Sequence, residues 1–231
     1  PELDGTIRLW GTIYNNSQKL KPYEALPDNV ADFFDYGLNY QNNVSLSGGG
    51  ENSTFYVSIG QASNDGIAPG DKDSFDKYTA TFKGTQEFRR LKISPSVSVS
   101  RQNTNFLPTG QGFTVINNLS QIPRDISIVS MSDYRTDPFD NLDYYFTPYG
   151  VINPYYALDN LKAENDAQKI HGKLQFDYEI FTGLTATYRF GIDASEDERE
   201  IAFPRLVTTP GTPNYGEVSE PGYVRTRMSR R

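Results

Sequence analysis

Residues 43–66 read NVSLSGGGENSTFYVSIGQASNDG, and the alternation inside this stretch decides the fold. Val44 and Leu46 point one way while Ser45 and Ser47 point the other; past the glycines, Phe55, Val57 and Ile59 share a face opposite Tyr56 and Ser58. An extended chain turns its side chains to opposite sides at every residue, so each segment reads as a strand with one apolar and one wet face. The run Gly48 to Asn52 is expected to reverse the chain, with Gly48, Gly49 and Gly50 supplying positive φ, which makes the pair an antiparallel hairpin.

The same period recurs along the chain. Tyr78, Ala80 and Phe82 oppose Thr79, Thr81 and Lys83; Leu91, Ile93, Pro95, Val97 and Val99 alternate with Lys92, Ser94, Ser96, Ser98 and Ser100. Pro95 lacks a backbone donor, so a bulge or a local gap in pairing is expected there. Around Phe181 to Gly183, Leu174, Phe176, Tyr178 and Ile180 oppose Gln175, Asp177 and Glu179, and Leu184, Ala186, Tyr188, Phe190 and Ile192 oppose Thr185, Thr187, Arg189 and Asp193. About six strands result.

Between them lie segments without a period. Residues 1–41 read as a loop, carrying a short helix from Val30 to Tyr36 capped by Asp28, ended by Gly37 and docked through Phe33 and Phe34. Gln61 to Ser74 and Gln102 to Asp166 read as loops, the second long enough to expect a function for it. From Ser195 onward the sequence is charged and proline-rich with no closing strand, as if cut in mid-loop.

Composition narrows the class. Hydrophobic residues make up 36% and mean hydropathy is -0.60, yet 16 Tyr and 14 Phe raise aromatics to 13%, which separates the chain from disordered sequences. Cysteine is absent and histidine occurs once, excluding disulfides, thiolate metal sites and Cys-His catalysis. A net charge of -7 argues against nucleic acid as a partner. No run of about 18 apolar residues is present for a membrane helix, but a transmembrane barrel needs only about 10 alternating residues per strand. The chain opens on Pro1, so any secretion leader is expected to have been removed or to lie outside this sequence.

Loop lengths then point to a barrel. Short turns (Gly48 to Asn52, Glu87 to Arg90, Phe181 to Gly183) alternate with long excursions, the arrangement of an outer-membrane barrel with tight turns on one rim and long loops on the other. Val44, Leu46, Phe55, Val57, Ile59, Leu91, Ile93, Val97, Val99, Leu174, Phe176, Tyr178, Tyr188 and Phe190 are expected to face lipid, with the hydroxyl and charged faces lining a lumen. About six strands cannot enclose a conduit, so the expected fold is an antiparallel transmembrane β-barrel segment with long extracellular loops, all of residues 1–231 belonging to one larger barrel domain.

Several strings carry a resemblance. PDNVADFFDYG (Pro27 to Gly37), NNVSLSGGGENSTFYVSIGQASNDGI (Asn42 to Ile67), NPYYALDN (Asn153 to Asn160) leading into a strand, and KIHGKLQFDYEIFTGLTATYRFGID (Lys169 to Asp193) resemble the SusC/RagA branch of TonB-dependent outer-membrane transporters of Bacteroidetes. LDGTIRLWG near the start is similar to the loop before that family's second barrel strand. The resemblance implies a barrel of about 22 strands with a plug, a box that engages the TonB complex, and a SusD/RagB-like lipoprotein lid over the extracellular face. This chain would hold only the strands from about the second to the seventh. The implied function is import of glycans or peptides across the outer membrane, and no enzymatic activity or cofactor.

Asp133 to Tyr156, DYRTDPFDNLDYYFTPYGVINPYY, sets four aspartates among tyrosine and phenylalanine rings. Rings that stack on apolar surfaces beside hydrogen-bond acceptors suit capture of sugar or peptide. Tyr134, Asp137, Phe139, Asp140, Tyr144, Tyr145 and Tyr149 are the candidates for contact with cargo or lid; the competing reading is that they pack the loop on itself. Four carboxylates would also suit Ca2+, although they lack the spacing of a calcium loop. Glu196, Asp197, Glu198 and Glu200 read as a solvated face, and Arg225, Arg227, Arg230 and Arg231 as part of a loop. His171 falls on a polar strand face with no motif around it, and no pair of carboxylates stands out for hydrolysis. The alternative class is a secreted, soluble β-rich carbohydrate-binding module, which solubility of the isolated chain without detergent would distinguish.

Overall fold

A computed structural model describes residues 24–110, 114–134, 143–144, 151–203, 205 and 222–231, with the side chains of 143, 144, 151 and 223 outside the description. The chain forms β1 (Asn39–Gly50), β2 (Ser53–Asp65), β3 (Ser74–Phe88), β4 (Leu91–Asn105), α1 (Val115–Gln121), the two-residue strands β5 (Asp143–Tyr144) and β6 (Val151–Ile152), α2 (Pro154–Asn160), β7 (Lys162–Phe181), β8 (Leu184–Phe203) and β9 (Tyr223–Arg230). Two 3₁₀ turns, Ala31–Phe33 and Val129–Asp133, complete the elements. Seven strands make one antiparallel sheet in the order β1-β2-β3-β4-β7-β8-β9, and β5 pairs with β6. The described helices are too short and polar to cross a membrane.

Register carries the alternation from strand to strand. Leu46 pairs with Val57, Val57 with Phe82, Phe82 with Val97, Val97 with Gly172 and Gly172 with Ile192. Paired residues of an antiparallel sheet share a face, so these side chains form one apolar row across six strands. The next row is Val44, Ile59, Ala80, Val99, Ile170 and Ala194, and toward the turns Ile93, Phe176 and Tyr188 line up in the same way. A one-residue slip anywhere would send a strand's apolar set to the other face, so this pattern itself fixes the register. The opposite face repeats as Ser45, Ser58, Thr81, Ser98, His171 and Asp193.

The turns at one end are Glu51–Asn52, Arg89–Arg90 and Thr182–Gly183, with Arg89 at φ 51 and Gly183 at φ 94. At the other end the chain makes its long excursions, 66–73, 106–161 and 204–222. The strands are longer than alternation alone marks, so the loops expected at Gln61 to Ser74 and Gln102 to Asp166 shrink at both ends. Ser195 to Phe203 belongs to β8, and Arg225, Arg227 and Arg230 belong to β9, which closes on β8 from Phe203↔Tyr223 to Glu196↔Arg230. The run Glu196 to Glu200 is therefore strand, with its carboxylates on alternate faces.

Three local expectations change. Gly48, Gly49 and Gly50 lie within β1 rather than in the turn, and none has positive φ. Gly48 and Gly49 instead leave space for β2: a Cβ on Gly48 would come within 2.8 Å of the Phe55 ring, and one on Gly49 would meet the Ser53 carbonyl. The helix expected over Val30 to Tyr36 is only the 3₁₀ turn Ala31–Phe33, and Gly37 is needed for close approach, since a Cβ there would lie 2.6 Å from the Asp65 carbonyl oxygen. Asn-Pro-Tyr starts the helix α2, not a strand: the Asn153 side chain accepts from the Tyr155 amide and Pro154 occupies the first turn, the preferred chemistry of a helix start. At Pro95 the pairing of β3 with β4 lapses between Lys83↔Ser96 and Gln86↔Ile93 without a register shift, while Pro95 still pairs with Leu174 on β7.

Gly37→Ala is expected to force this junction apart at a cost of about 1–3 kcal/mol, because backbone atoms cannot yield as a side chain can. The Asp65 amide bond to the Leu38 carbonyl (2.8 Å) and the Asp35 amide bond to the Ile67 carbonyl (2.9 Å) flank it. Amide exchange at Asp65 and limited proteolysis of 66–73 would both accelerate; unchanged exchange at Asp65 would refute the close-approach account.

Candidate functional site

The sheet has almost no core of its own. The buried apolar residues gather at the long-loop end, where Phe33, Ala68, Val115, Leu119, Ile128, Met131, Ala157 and Leu158 form one cluster. Four chain segments feed it: the stretch before β1, the β2–β3 loop, α1 with the second 3₁₀ turn, and α2. Phe33 is its centre, edge-on to Phe34 at 5.2 Å and to Tyr155 at 5.0 Å between ring centroids. Edge-to-face pairs of this kind add to the burial of their area.

Two buried asparagines join the segments. Asn29 donates to the Ile126 carbonyl at 2.6 Å and accepts from the Ile128 amide at 2.9 Å, fixing the segment before β1 to one some hundred residues later. Asn153, fully buried, donates to the Met131 carbonyl at 2.8 Å while it caps α2 by accepting from Tyr155 at 2.9 Å. In both cases the amide pairs with backbone groups that burial would otherwise strand.

Of the predicted contact residues, Asp137, Phe139, Asp140, Tyr145 and Tyr149 lie outside the described residues, and Tyr144 is placed only by its backbone in β5. Tyr134 is 4% exposed, edge-on to Tyr156 at 5.7 Å, and its hydroxyl donates to Asp159 at 2.9 Å. It holds the loop together, and any cargo contact by this ring would act through that packing. The structure adds Tyr155 and Tyr156, half-exposed on α2 and fixed from behind by Phe33 and Tyr134. Burial pushes both phenols above their ordinary pKa, so their hydroxyls stay neutral. The double tyrosine directly after Asn-Pro was the available signal for them.

The β2–β3 loop is held by Asp73, whose carboxylate accepts from the amides of Ala68 (2.8 Å) and Ile67 (3.2 Å). Partial burial, with Asp71, Asp73 and Asp35 close by, raises the Asp65 carboxyl above its ordinary value of 3.8. A carboxyl raised in the folded form favours folding below its unfolded pKa, and that contribution is lost as pH rises through the folded value. Loop 66–73 is therefore expected to loosen as pH rises through that raised value, and Asp65→Asn to abolish the dependence and protect the loop at neutral pH. Amide exchange against pH checks this; a loop less protected in the variant at pH 7 would count against it.

The polar and apolar faces of the sheet differ in charge as well as polarity. On the polar face, Lys77, Lys83 and Lys92 of β3 and β4, Lys169 and Lys173 of β7, Arg189 and Arg199 of β8, and Arg225 and Arg227 of β9 stand against Glu87, Asp177, Glu179, Asp193 and Asp197: nine basic residues against five acidic. On the other face, charges appear only beyond the apolar rows, at the long-loop end. There Asp65, Asp76, Glu164, Asp166, Glu196, Glu198 and Glu200 outnumber Arg101, Lys162 and Arg230 by seven to three. Those three cations are paired, Arg101 to Asp166 (2.9 Å), Lys162 to Glu200 (3.1 Å) and Arg230 to Glu196 (2.7 Å). In the row of Arg101, Glu196 and Arg230, next to the apolar rows, Gln61 reaches the hydroxyl of its pair partner Tyr78 (3.5 Å) and that of Tyr40 (3.3 Å), one row nearer the loops.

The residues expected to meet lipid lie on the apolar face. Val44 is 74% exposed, Leu46 65%, Ile59 64% and Tyr188 67%; Phe55, Val57, Val97, Val99, Tyr178 and Phe190 are also exposed, and Leu91, Ile93, Leu174 and Phe176 are half-covered by their neighbours. No second sheet covers this face among the described residues. His171 lies in one row with Ser98 and Asp193, its Nδ1 3.4 Å from the Asp193 carboxylate, while the Ser98 hydroxyl is hydrogen-bonded to Thr81 at 3.0 Å. Among the described residues no three His, Cys, Asp or Glu side chains are placed to hold a metal ion; of the loop aspartates proposed for Ca2+, Asp137, Asp140 and the Asp143 side chain fall outside them.

An antiparallel sheet with one continuous exposed apolar face, short turns at one end and a loop-built cluster at the other defines the chain as all-β and consistent with a segment of β-barrel wall. Solved structures share this fold. The RagAB peptide importer in the "closed-closed" state aligns at TM-score 0.63 and 17% identity, covering 96% of this chain and 23% of that one. The RagAB peptide transporter aligns at 0.62 and 20% identity over 88% and 22%, and the importer in the "open-open" state at 0.61 and 16% over 88% and 21%. The chain thus spans less than a quarter of the length of the chains it matches. No family model matches it, and no curated protein sequence does.

Proposed function

We propose that the chain is part of the barrel wall and outer rim of a SusC/RagA-like outer-membrane importer. The observation that carries this reading is the unbroken register that puts the apolar rows on one face of a sheet with tight turns at one end and long loops at the other. From Leu184 to Ala194 the apolar side of β8 spans about 25 Å once a barrel strand's tilt is allowed for, the height of the apolar band of such barrels. In this reading the apolar face meets outer-membrane lipid and the serine-, threonine- and lysine-bearing face lines the conduit. Tyr40, Gln61 and Tyr78 sit at the membrane boundary, where the charged residues of this face begin, with Glu196 in the row of Gln61 and Tyr78 and the other acidic residues from Tyr40's row outward.

The cluster around Phe33 then lies on the extracellular side, carrying the cargo-contact loop and its aromatic rings, with Tyr155 and Tyr156 beside it. A SusD/RagB-like lipoprotein would close over it, and the TonB complex would act through parts of the protein beyond this segment. Peptides are the proposed cargo in preference to glycans, because the neighbouring folds are peptide importers. Purifying the intact protein from outer membranes in detergent and identifying what comes with it tests the proposal. A co-purifying lipoprotein and bound peptides are expected; recovery of the protein from the soluble fraction would sink it, and bound glycan would correct the cargo.

A further inference from the structure

The polar face carries the opposite sign to the chain. A protein of net charge -7 places nine basic and five acidic side chains on this face of its strands and reverses the balance on the other, so the sign comes from placement and not from composition. At its middle Lys83 pairs with Ser96, and Ser96 with Lys173, a row that puts two exposed ammonium groups two strand spacings apart, about 10 Å. Neither lysine has an ion-pair partner among the described residues, whereas the three cations beyond the apolar rows on the opposite face all do. Toward the turns Arg189 is held along the face by its 3.0 Å bond to Gln175, and toward the loops Lys169 and His171 share the one carboxylate of Asp193.

Resting on the reading above, we propose that this face selects anionic cargo, and that the peptides the importer passes are rich in Asp and Glu. Free cations lining a confined conduit raise the local concentration of anions by about 10- to 1,000-fold. Lysine suits passage better than arginine: its ammonium is a mobile, strongly hydrated point charge without the rigid fork that grips a carboxylate. Hydroxyls of Ser47, Tyr56 and Ser96 in the same row offer weak further bonds. Many weak sites let a cargo enter and also leave.

The test uses the intact transporter with its lipoprotein in cells or proteoliposomes, offered three peptides of one length that differ only in bearing Glu, Gln or Lys at the same positions. The wild type is expected to take up the Glu peptide at least about tenfold better than the Lys peptide, with the gap narrowing as salt is raised. Lys83→Glu with Lys173→Glu should erase or invert that order, read as the ratio of Glu- to Lys-peptide uptake; Lys83→Gln with Lys173→Gln should weaken it without adding repulsion. Equal uptake of all three by the wild type, or a preference untouched by both double variants, overturns the inference and leaves the importer reading standing. Variants that lower only the amount of assembled barrel would show the face to be occupied by another segment of the same protein, and would equally overturn it. Failure to import any peptide would instead count against the importer reading itself.

Discussion

Asn153→Ala is expected to release the long-loop side of the molecule while leaving the seven-stranded sheet intact. The side chain does two things at once: its oxygen caps α2 at the Tyr155 amide, and its amide satisfies the Met131 carbonyl in the Val129–Asp133 turn, a segment that α2 also reaches through the bond between Tyr134 and Asp159. Losing an N-cap costs about 1 kcal/mol, and stranding a buried carbonyl costs about 1–3 kcal/mol more. A loss of about 2–4 kcal/mol corresponds to amide exchange faster by about 30- to several hundred-fold for openings confined to this region. The affected amides should be those of α1, α2 and the Val129–Asp133 turn, whose side chains share the cluster with Phe33, whereas β2, β3 and β4 should not respond. Asn153→Asp separates the two roles: a carboxylate still caps the helix but cannot donate to Met131. If the Asp variant exchanges as the wild type does, the bridge is immaterial and the cap alone accounts for the residue.

The bridge from Asn153 to Met131 could not have been found from the sequence, although Asn followed by Pro is itself a helix-start signal. What the sequence showed well was the part of the fold governed by a period. Wherever one face is apolar, as from Leu91 to Val99 or from Leu184 to Ile192, alternation marks the strand and even the face on which each residue falls. Beyond the apolar rows both faces are polar, so the signal ends while the strand continues. Asn39 to Asn43, Lys162 to Ala167 and Ser195 to Phe203 are strand because a neighbour pairs with them, a fact of tertiary structure. β9 was an exception, since Val224, Thr226 and Met228 do alternate with Arg225 and Arg227; four arginines close together suggested a charged loop and hid the period.

The site was legible to a lesser degree, for related reasons. A core assembled from four separated segments has no period, and its centre, Phe33, sits in a single 3₁₀ turn with no helix of its own. The glycines of 48–50 looked like a turn because glycine's usual meaning is positive φ, whereas Phe55 and the Ser53 carbonyl demand their small size. Charge placement was half visible: parity alone puts Lys83, Lys173 and Arg189 with the serines. That Lys83 and Lys173 flank the same serine needs the register of three strands.

The apolar face makes the second large prediction, because lipid and protein neighbours respond differently to a charge. Val97 stands in the middle of the row that runs from Leu46 to Ile192, and Val97→Arg would bury a guanidinium at the centre of the band. In a transmembrane barrel that costs about 2–4 kcal/mol at the midplane and about 0–1 near the interfaces. Gln168 faces the same side two rows nearer the loops than Gly172, the strand partner of Val97, so Gln168→Arg should be nearly silent. Ser98→Arg, adjacent to Val97 but on the polar face, should be tolerated within about 1 kcal/mol. The fraction of folded protein in outer-membrane extracts, read by gel mobility before and after heating, should fall steeply for Val97→Arg and little for the other two. Equal losses at Val97 and Gln168 would mean that depth does not matter and lipid is not what this face meets. A wild-type level for Val97→Arg would mean that the face is in water, and either result would remove the ground for reading the chain as barrel wall.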